Sequence, residues 1–319
     1  MAVRHVACVG TGVIGAGWAT RFMVHGIDVI ASDPGDDAEA RLRQAVDKSL
    51  EAATRLHGKP KAGLGALSFT ADLEAACERA DWIQESAPEN ENLKRALLAR
   101  IDAAAPDHAI IASSSSGLLP STIQADCARA ERVLIGHPFN PVYLLPLVET
   151  VAGERTDPAN MDLARSFYES VGMKVLHVRK EVEGYIADRL QEALWREALH
   201  MVAEGVATTE DLDDAVIYGP GLRWAIMGTC LTFHLAGGDA GMRHMLAQFG
   251  PALKLPWTKL EAPELTDELT DRLVEGTQAQ AGGRSIEDLE NLRDDCLIDI
   301  MRVLQAHGTS AGTTLGGGG

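Results

Sequence analysis

Through roughly the first 180 residues, short runs of apolar and β-branched positions alternate with amphipathic stretches. Such runs at His5–Val9, Asp28–Ser32, Trp82–Glu85, Ala109–Ala112, Val133–Gly136, Leu147–Val151 and Lys174–Val178 predict strands. Helical spacing over Val13–His25 and Leu93–Ala104 fills intervening gaps. Strand, helix and strand in repetition predict an α/β fold built on a doubly wound parallel sheet. From about Glu183 the β signal fades, and Ile186–Glu204, Glu210–Ile217 and Ser285–Ala306 read as helices. The expected organisation is a domain over residues 1–182, an all-helical domain over 183–307 and a Gly/Thr/Ser-rich, disordered tail over 308–319.

Composition narrows the partners. A formal charge of −17 argues against binding phosphate backbones or anionic lipid. No apolar run approaches the roughly 20 residues of a bilayer span. Met1 leads directly into a core strand, which predicts a cytoplasmic protein. Five cysteines without a CxxC pair exclude a disulfide framework and a structural zinc pattern, so no metal site is expected.

Gly10-Thr11-Gly12-Val13-Ile14-Gly15 follows the first strand and opens a helix. Alone, such glycines are a weak signal. Here the strand, turn, helix and second strand are all present, the setting a Rossmann dinucleotide fold requires. Gly10 permits the tight turn, Gly12 admits a pyrophosphate close to the backbone, and Gly15 lets helix and sheet pack. Asp33 ends the second strand 18 residues beyond Gly15, where a carboxylate accepts adenosine ribose hydroxyls and repels a 2′-phosphate. That predicts NAD as cofactor, against the alternative of a glycine turn that binds nothing.

Two later segments carry candidate chemistry. Ser113-Ser114-Ser115-Ser116-Gly117 follows the predicted strand Ala109–Ala112, and Gly136-His137-Pro138-Phe139-Asn140-Pro141 follows another. Such positions at the carboxyl ends of parallel strands are where ligands bind. A lone histidine is more often structural than catalytic. Glu149, in Leu147-Val148-Glu149, could bind one ring nitrogen of His137 while the other faces substrate.

With GTGVIG, SSSSG, HPFNP and LVE in this order, the chain resembles the 3-hydroxyacyl-CoA dehydrogenase superfamily, and within it the carnitine-oxidising branch. The resemblance extends from the glycine fingerprint to about Leu304. It implies NAD-dependent oxidation of a 3-hydroxyl group and dimerisation through the helical domain. It also implies His137 as general base, Glu149 as its orienting partner, Ser116 bonded to the reacting oxygen and Asn140 lining the pocket. Glu89 and Lys94 would lie near the cofactor, with Val13 and Ile14 in the glycine turn.

One position departs from the acyl-CoA enzymes, which carry Asn where this chain has Asp188. Asp188, Glu192 and Trp195 stand at i, i+4 and i+7, one face of a helix. Carboxylates beside an indole suit a quaternary ammonium, held by charge and ring quadrupoles. Tyr143, Trp224 and Phe233 are further candidates for that cage, and Arg223 for a substrate carboxylate. Together they predict a small zwitterionic substrate, carnitine. Core packing for the aromatics and a solvated ion pair for Arg223 are the plainer readings. L-Gulonate or a 3-hydroxyacyl-CoA is the alternative substrate, and a crystallin-like NAD-binding structural protein is the non-enzymatic alternative.

Overall fold

A computed structural model describes residues 3–61, 63–225, 227–259, 264 and 266–315. The strands are β1 His5–Val9, β2 Asp28–Ser32, β3 Leu67–Thr70, β4 Trp82–Glu85, β5 Ile110–Ser113, β6 Val133–Pro138, β7 Leu147–Ala152 and β8 Lys174–Val178. They form one sheet in the order β3-β2-β1-β4-β5-β6-β7-β8. Helices α1 Val13–Val24, α2 Ala38–His57, α3 Leu73–Cys77, α4 Glu91–Ala104, α5 Pro120–Ile123 and α6 Pro158–Ser170 lie between them in the chain.

Alternate residues of β1 feed two separate cores. Val6 and Cys8 join Trp18, Phe22, Trp82, Phe167 and Tyr168 in one cluster. Ala7 and Val9 join Ile83, Ile101, Ile111 and Ile135 in the other. Burial on both faces explains the near-continuous apolar character of the inner strands. The chain's direction of travel across the sheet reverses between β1 and β4, which opens a crevice at their carboxyl ends.

The sheet is parallel except for one pair. β7 runs antiparallel to β6, bringing His137 directly opposite Glu149. The few residues linking the two strands are too short for a parallel crossover, which needs a dozen or more. Strand β3 lies outside the sequence expectation; it is a four-residue, partly exposed edge strand. Strand β6 continues through His137 to Pro138, so the histidine sits within a strand instead of at its junction with a loop. The tail also departs from expectation. Ser310–Thr314 forms a 3-10 helix and Leu315 is buried, while residues 316–319 lie outside the described residues.

By packing, the first compact unit runs to Asp188 and includes Asp294–Arg302; the second comprises Arg189–Arg293 and Val303–Thr313. The chain passes from one to the other inside α7, Ala187–Ala203. Beyond it come α8 Thr209–Ile217, α9 Pro220–Trp224, α10 Thr229–Ala236, α11 Gly241–Phe249, α12 Asp267–Ala281 and α13 Ile286–Ala306. Capping boxes start α8, through Thr208 and Asp211, and α13, through Ser285 and Asp288. Among the described residues no helix is long and apolar enough to cross a membrane.

Candidate active site

At the carboxyl ends of β1, β2 and β4 lies a cleft of about 850 Å³, bordered by Gly10, Gly12, Asp33, Ser86, Leu97 and Arg100. Gly10 has φ +89°, and a Cβ there would come within 2.7 Å of the Ser86 backbone. A Cβ on Gly15 would collide with the Gly10 carbonyl, so this glycine holds helix against turn. A Cβ on Gly12 would meet open space, which leaves the first amides of α1 facing the cleft. Val13 is exposed, whereas Ile14 packs partly against the core. Asp33 accepts hydrogen bonds from the Thr11 amide (2.9 Å) and hydroxyl (3.0 Å) and from the Gly35 amide (2.8 Å). Burial alone would raise its pKa; these bonds and the nearby Arg41 outweigh it and hold the carboxyl below its usual range.

On the neighbouring strands the cross-strand pair forms a hydrogen-bonded dyad. His137 Nδ1 lies 3.0 Å from Glu149 Oε2, with the glutamate fully buried. The other Glu149 oxygen accepts the Ile186 amide at 3.0 Å and the Ala187 amide at 2.9 Å, the last residue before α7 and its first. Burial opposes ionisation of Glu149, but the His137 bond and the two amides prevail, so its pKa falls below the ordinary value. On the far side of the ring, Asp188 Oδ2 lies 3.6 Å from His137 Nε2. One imidazole therefore sits between two carboxylates.

The four consecutive serines divide their work. Ser113 donates to buried Glu85. Ser114 Oγ accepts from Trp18 Nε1 at 3.1 Å and Gln84 Nε2 at 2.9 Å, and is hydrogen-bonded to Ser86 Oγ at 2.9 Å. Ser115 Oγ and the amides of Ser116 and Gly117 all donate to Glu89 Oε1. Ser116 alone of the four is exposed, with its backbone amide held by Glu89.

The NAD binding domain of the 3-hydroxyacyl-CoA dehydrogenase family matches residues 5–182, and that family's C-terminal domain matches residues 184–283. The chain belongs to this family. Membership makes it an NAD-dependent dehydrogenase of 3-hydroxy compounds. It is 55% identical over 305 residues to an L-carnitine dehydrogenase of Bacillus cereus, covering 96% of this chain and 94% of that one. It is 56% identical over 303 residues to the L-carnitine dehydrogenase of Pseudomonas aeruginosa, covering 95% and 94%. Among solved structures it resembles 5-formyl-3-hydroxy-2-methylpyridine 4-carboxylic acid 5-dehydrogenase, an NAD-dependent dismutase. The TM-score is 0.80 at 29% identity, over 95% of this chain and 99% of that one. The open face of Gly12, the amides of α1 and the ionised Asp33 fit the cofactor that the family uses.

Lys94, expected at the cofactor, is buried, and its ammonium spends its three donors on both Glu85 oxygens and the Ala87 carbonyl. These bonds hold the turn after β4. Glu89 staples the serine loop, as described above. Asn140 is exposed beyond β6, and Tyr143 donates its hydroxyl to Asp294 at 2.6 Å. In the second unit, Glu192 is paired with Arg196 at 3.0 Å one turn along α7, and Trp195, Arg223, Trp224 and Phe233 are exposed.

Two features of the dehydrogenase escaped the sequence reading. Gln84 accepts from Tyr168 and Trp82 and donates to Ser114 and the Gly136 carbonyl, so all its bonds are used beneath the site. A glutamine directly after Trp82 and Ile83 in the strand Trp82–Glu85 is the signal that could have found it. Tyr185, in the turn before α7, carries no motif signal.

Proposed function

We propose that the chain oxidises the 3-hydroxyl of L-carnitine to 3-dehydrocarnitine with NAD. Similarity to L-carnitine dehydrogenases over nearly the whole length supports this reading. The observation that carries the substrate is the Asp188 carboxylate, 3.6 Å from the base nitrogen. In carnitine the trimethylammonium is one methylene from the carbinol carbon. A hydroxyl bonded to His137 Nε2 therefore brings that cation beside Asp188. Beside the buried imidazole the effective dielectric is lower than in water, so this attraction favours a cationic substrate over a neutral one.

Bound NAD would supply the two-electron acceptor. His137, its Nδ1–H donated to Glu149, offers the Nε2 lone pair to the substrate hydroxyl and takes its proton. The imidazolium that forms lies between Glu149 and Asp188, both of which stabilise it. Glu149 also fixes the ring's tautomer and direction. Ser116 donates to the reacting oxygen, and Asn140 lines the pocket. Arg223 takes the substrate carboxylate through its planar fork. Glu192, Trp195, Tyr143, Trp224 and Phe233 are the candidates for the remaining ammonium contacts. Large exposed apolar residues of the second unit, among them Leu190, Tyr218, Leu222 and Trp257, support a homodimer formed through the helical domain.

The test is a panel of carnitine, gulonate and 3-hydroxybutyryl-CoA with NAD, followed by NADH absorbance. Carnitine should give the highest kcat/KM. Faster turnover of either other substrate overturns the assignment.

A further inference from the structure

Tyr185 holds a backbone conformation that a side chain makes costly. Its φ is +45°, in the left-handed region where a Cβ crowds the following carbonyl. It is nevertheless almost fully buried. Strain of this kind persists only where surrounding contacts over-determine it, and it concentrates at functional sites.

The contacts of this residue reach groups of the candidate site. Its ring centroid lies 5.7 Å from that of His137, at 58°. Its hydroxyl donates to the Leu118 carbonyl at 2.8 Å, two residues after Ser116. The left-handed turn then directs the next two amides, of Ile186 and Ala187, onto one oxygen of Glu149. One residue further, Asp188 reaches His137 Nε2. Burial pushes the Tyr185 hydroxyl above its usual range, with the charges of Glu89, Glu149 and Asp188 adding to that, so it stays protonated as a donor.

We infer that Tyr185 is a positioning residue that sets the serine loop and the His137–Glu149 dyad in register with one another. The ring walls one side of the imidazole, the hydroxyl pins the chain just past Ser116, and the backbone turn delivers the two amides that bind Glu149. This rests on the roles proposed above for His137, Glu149 and Ser116. Misplacement of reacting groups by about 1 Å can cost about 100-fold in rate, so a tether of this kind is read in kcat.

Three variants separate the parts. Tyr185→Phe keeps the ring and loses the tether to Leu118; kcat should fall about tenfold on that same scale, with KM for NAD unchanged. Tyr185→Gly accepts the left-handed turn but loses the ring and hydroxyl; it should lose more kcat than Tyr185→Phe and shift the pH profile of kcat/KM. Tyr185→Ala loses the same groups and keeps the strained backbone, so it should melt below Tyr185→Gly. A readout free of turnover is the downfield proton of the His137–Glu149 hydrogen bond in 1H NMR. It should persist in Tyr185→Phe and broaden or move in Tyr185→Gly. Wild-type kcat and pH profile in both Tyr185→Phe and Tyr185→Gly, with an unmoved proton signal, would overturn the inference. A wild-type enzyme inactive on carnitine would instead overturn the substrate reading, and the NMR arm would still decide the positioning claim.

Discussion

His137 Nε2 and Asp188 Oδ2 stand 3.6 Å apart, on the side of the imidazole opposite its 3.0 Å bond to Glu149. Glu149 is fully buried, whereas Asp188 is about one-third exposed. In the proposed mechanism the inner carboxylate orients the base, and the outer one meets the charge that the substrate carries beside its hydroxyl.

The dyad predicts a division of kinetic effects. His137→Ala should lower kcat by about 10²–10⁴ while still binding NADH, since a general base acts on the chemical step. Glu149→Gln should lose less, because the ring remains and only its orientation and charge support suffer. Steady-state kinetics with NADH fluorescence titration checks both. Near-normal kcat in His137→Ala removes it from the mechanism.

Asp33 should set the cofactor. Its carboxylate is held ionised by Thr11 and Gly35 and borders the cleft. Wild type should strongly prefer NAD over NADP. Losing a charged hydrogen bond of about 1.5–3 kcal/mol should narrow the preference in Asp33→Ala by at least about tenfold. Equal use of the two cofactors by the wild type contradicts the assignment.

Two partly buried histidines beside a buried arginine predict acid sensitivity. Arg21 is fully buried and donates to the carbonyls of Val142, Val171 and Leu145, and His57 Nε2 lies 3.2 Å from the Tyr143 carbonyl. Burial, helped by the Arg21 charge, lowers the pKa of His25 to about 4 and that of His57 to about 3. An unfolded chain takes up protons on these histidines near pH 6.5, while the native one refuses them until pH 4–3. The unfolded state thus binds more protons in that window, and stability falls as the pH drops from about 6.5 towards 4. Thermal melts from pH 7 to 5 should show a falling Tm in wild type and a flatter one in the doubly substituted His25→Gln/His57→Gln protein. Parallel curves would show that these histidines do not carry the effect.

Much of this was legible in the chain. The glycine turn and Asp33 are local signals, fixed by spacing along one βαβ unit. His137 and Glu149 were legible as a pair because each lies in a short strand flanked by distinctive residues. What escaped depends on long-range packing. The antiparallel β7 was implicit in the short connection after Pro138, but apolar alternation carries no strand direction. Lys94 reads as an available cation in sequence, and only the fold reveals that Glu85 consumes it. Helical periodicity grouped Asp188 with Glu192 and Trp195 correctly on α7. It could not tell that the start of that helix docks against the dyad. Tyr185 left no sequence trace, because a left-handed tyrosine is defined by its surroundings.

The most direct test of cation recognition at the base is the ratio of kcat/KM for carnitine to that for its uncharged isostere, in which tert-butyl replaces trimethylammonium. The ratio cancels general damage to the fold, and Asp188→Asn removes the charge at nearly constant shape. Wild type should favour carnitine strongly, and Asp188→Asn should reduce that preference by at least about tenfold, the equivalent of about 1.4 kcal/mol. A wild type that accepts both substrates equally, or an Asp188→Asn variant with an unchanged ratio, would contradict the assignment of Asp188 to the substrate's cationic end.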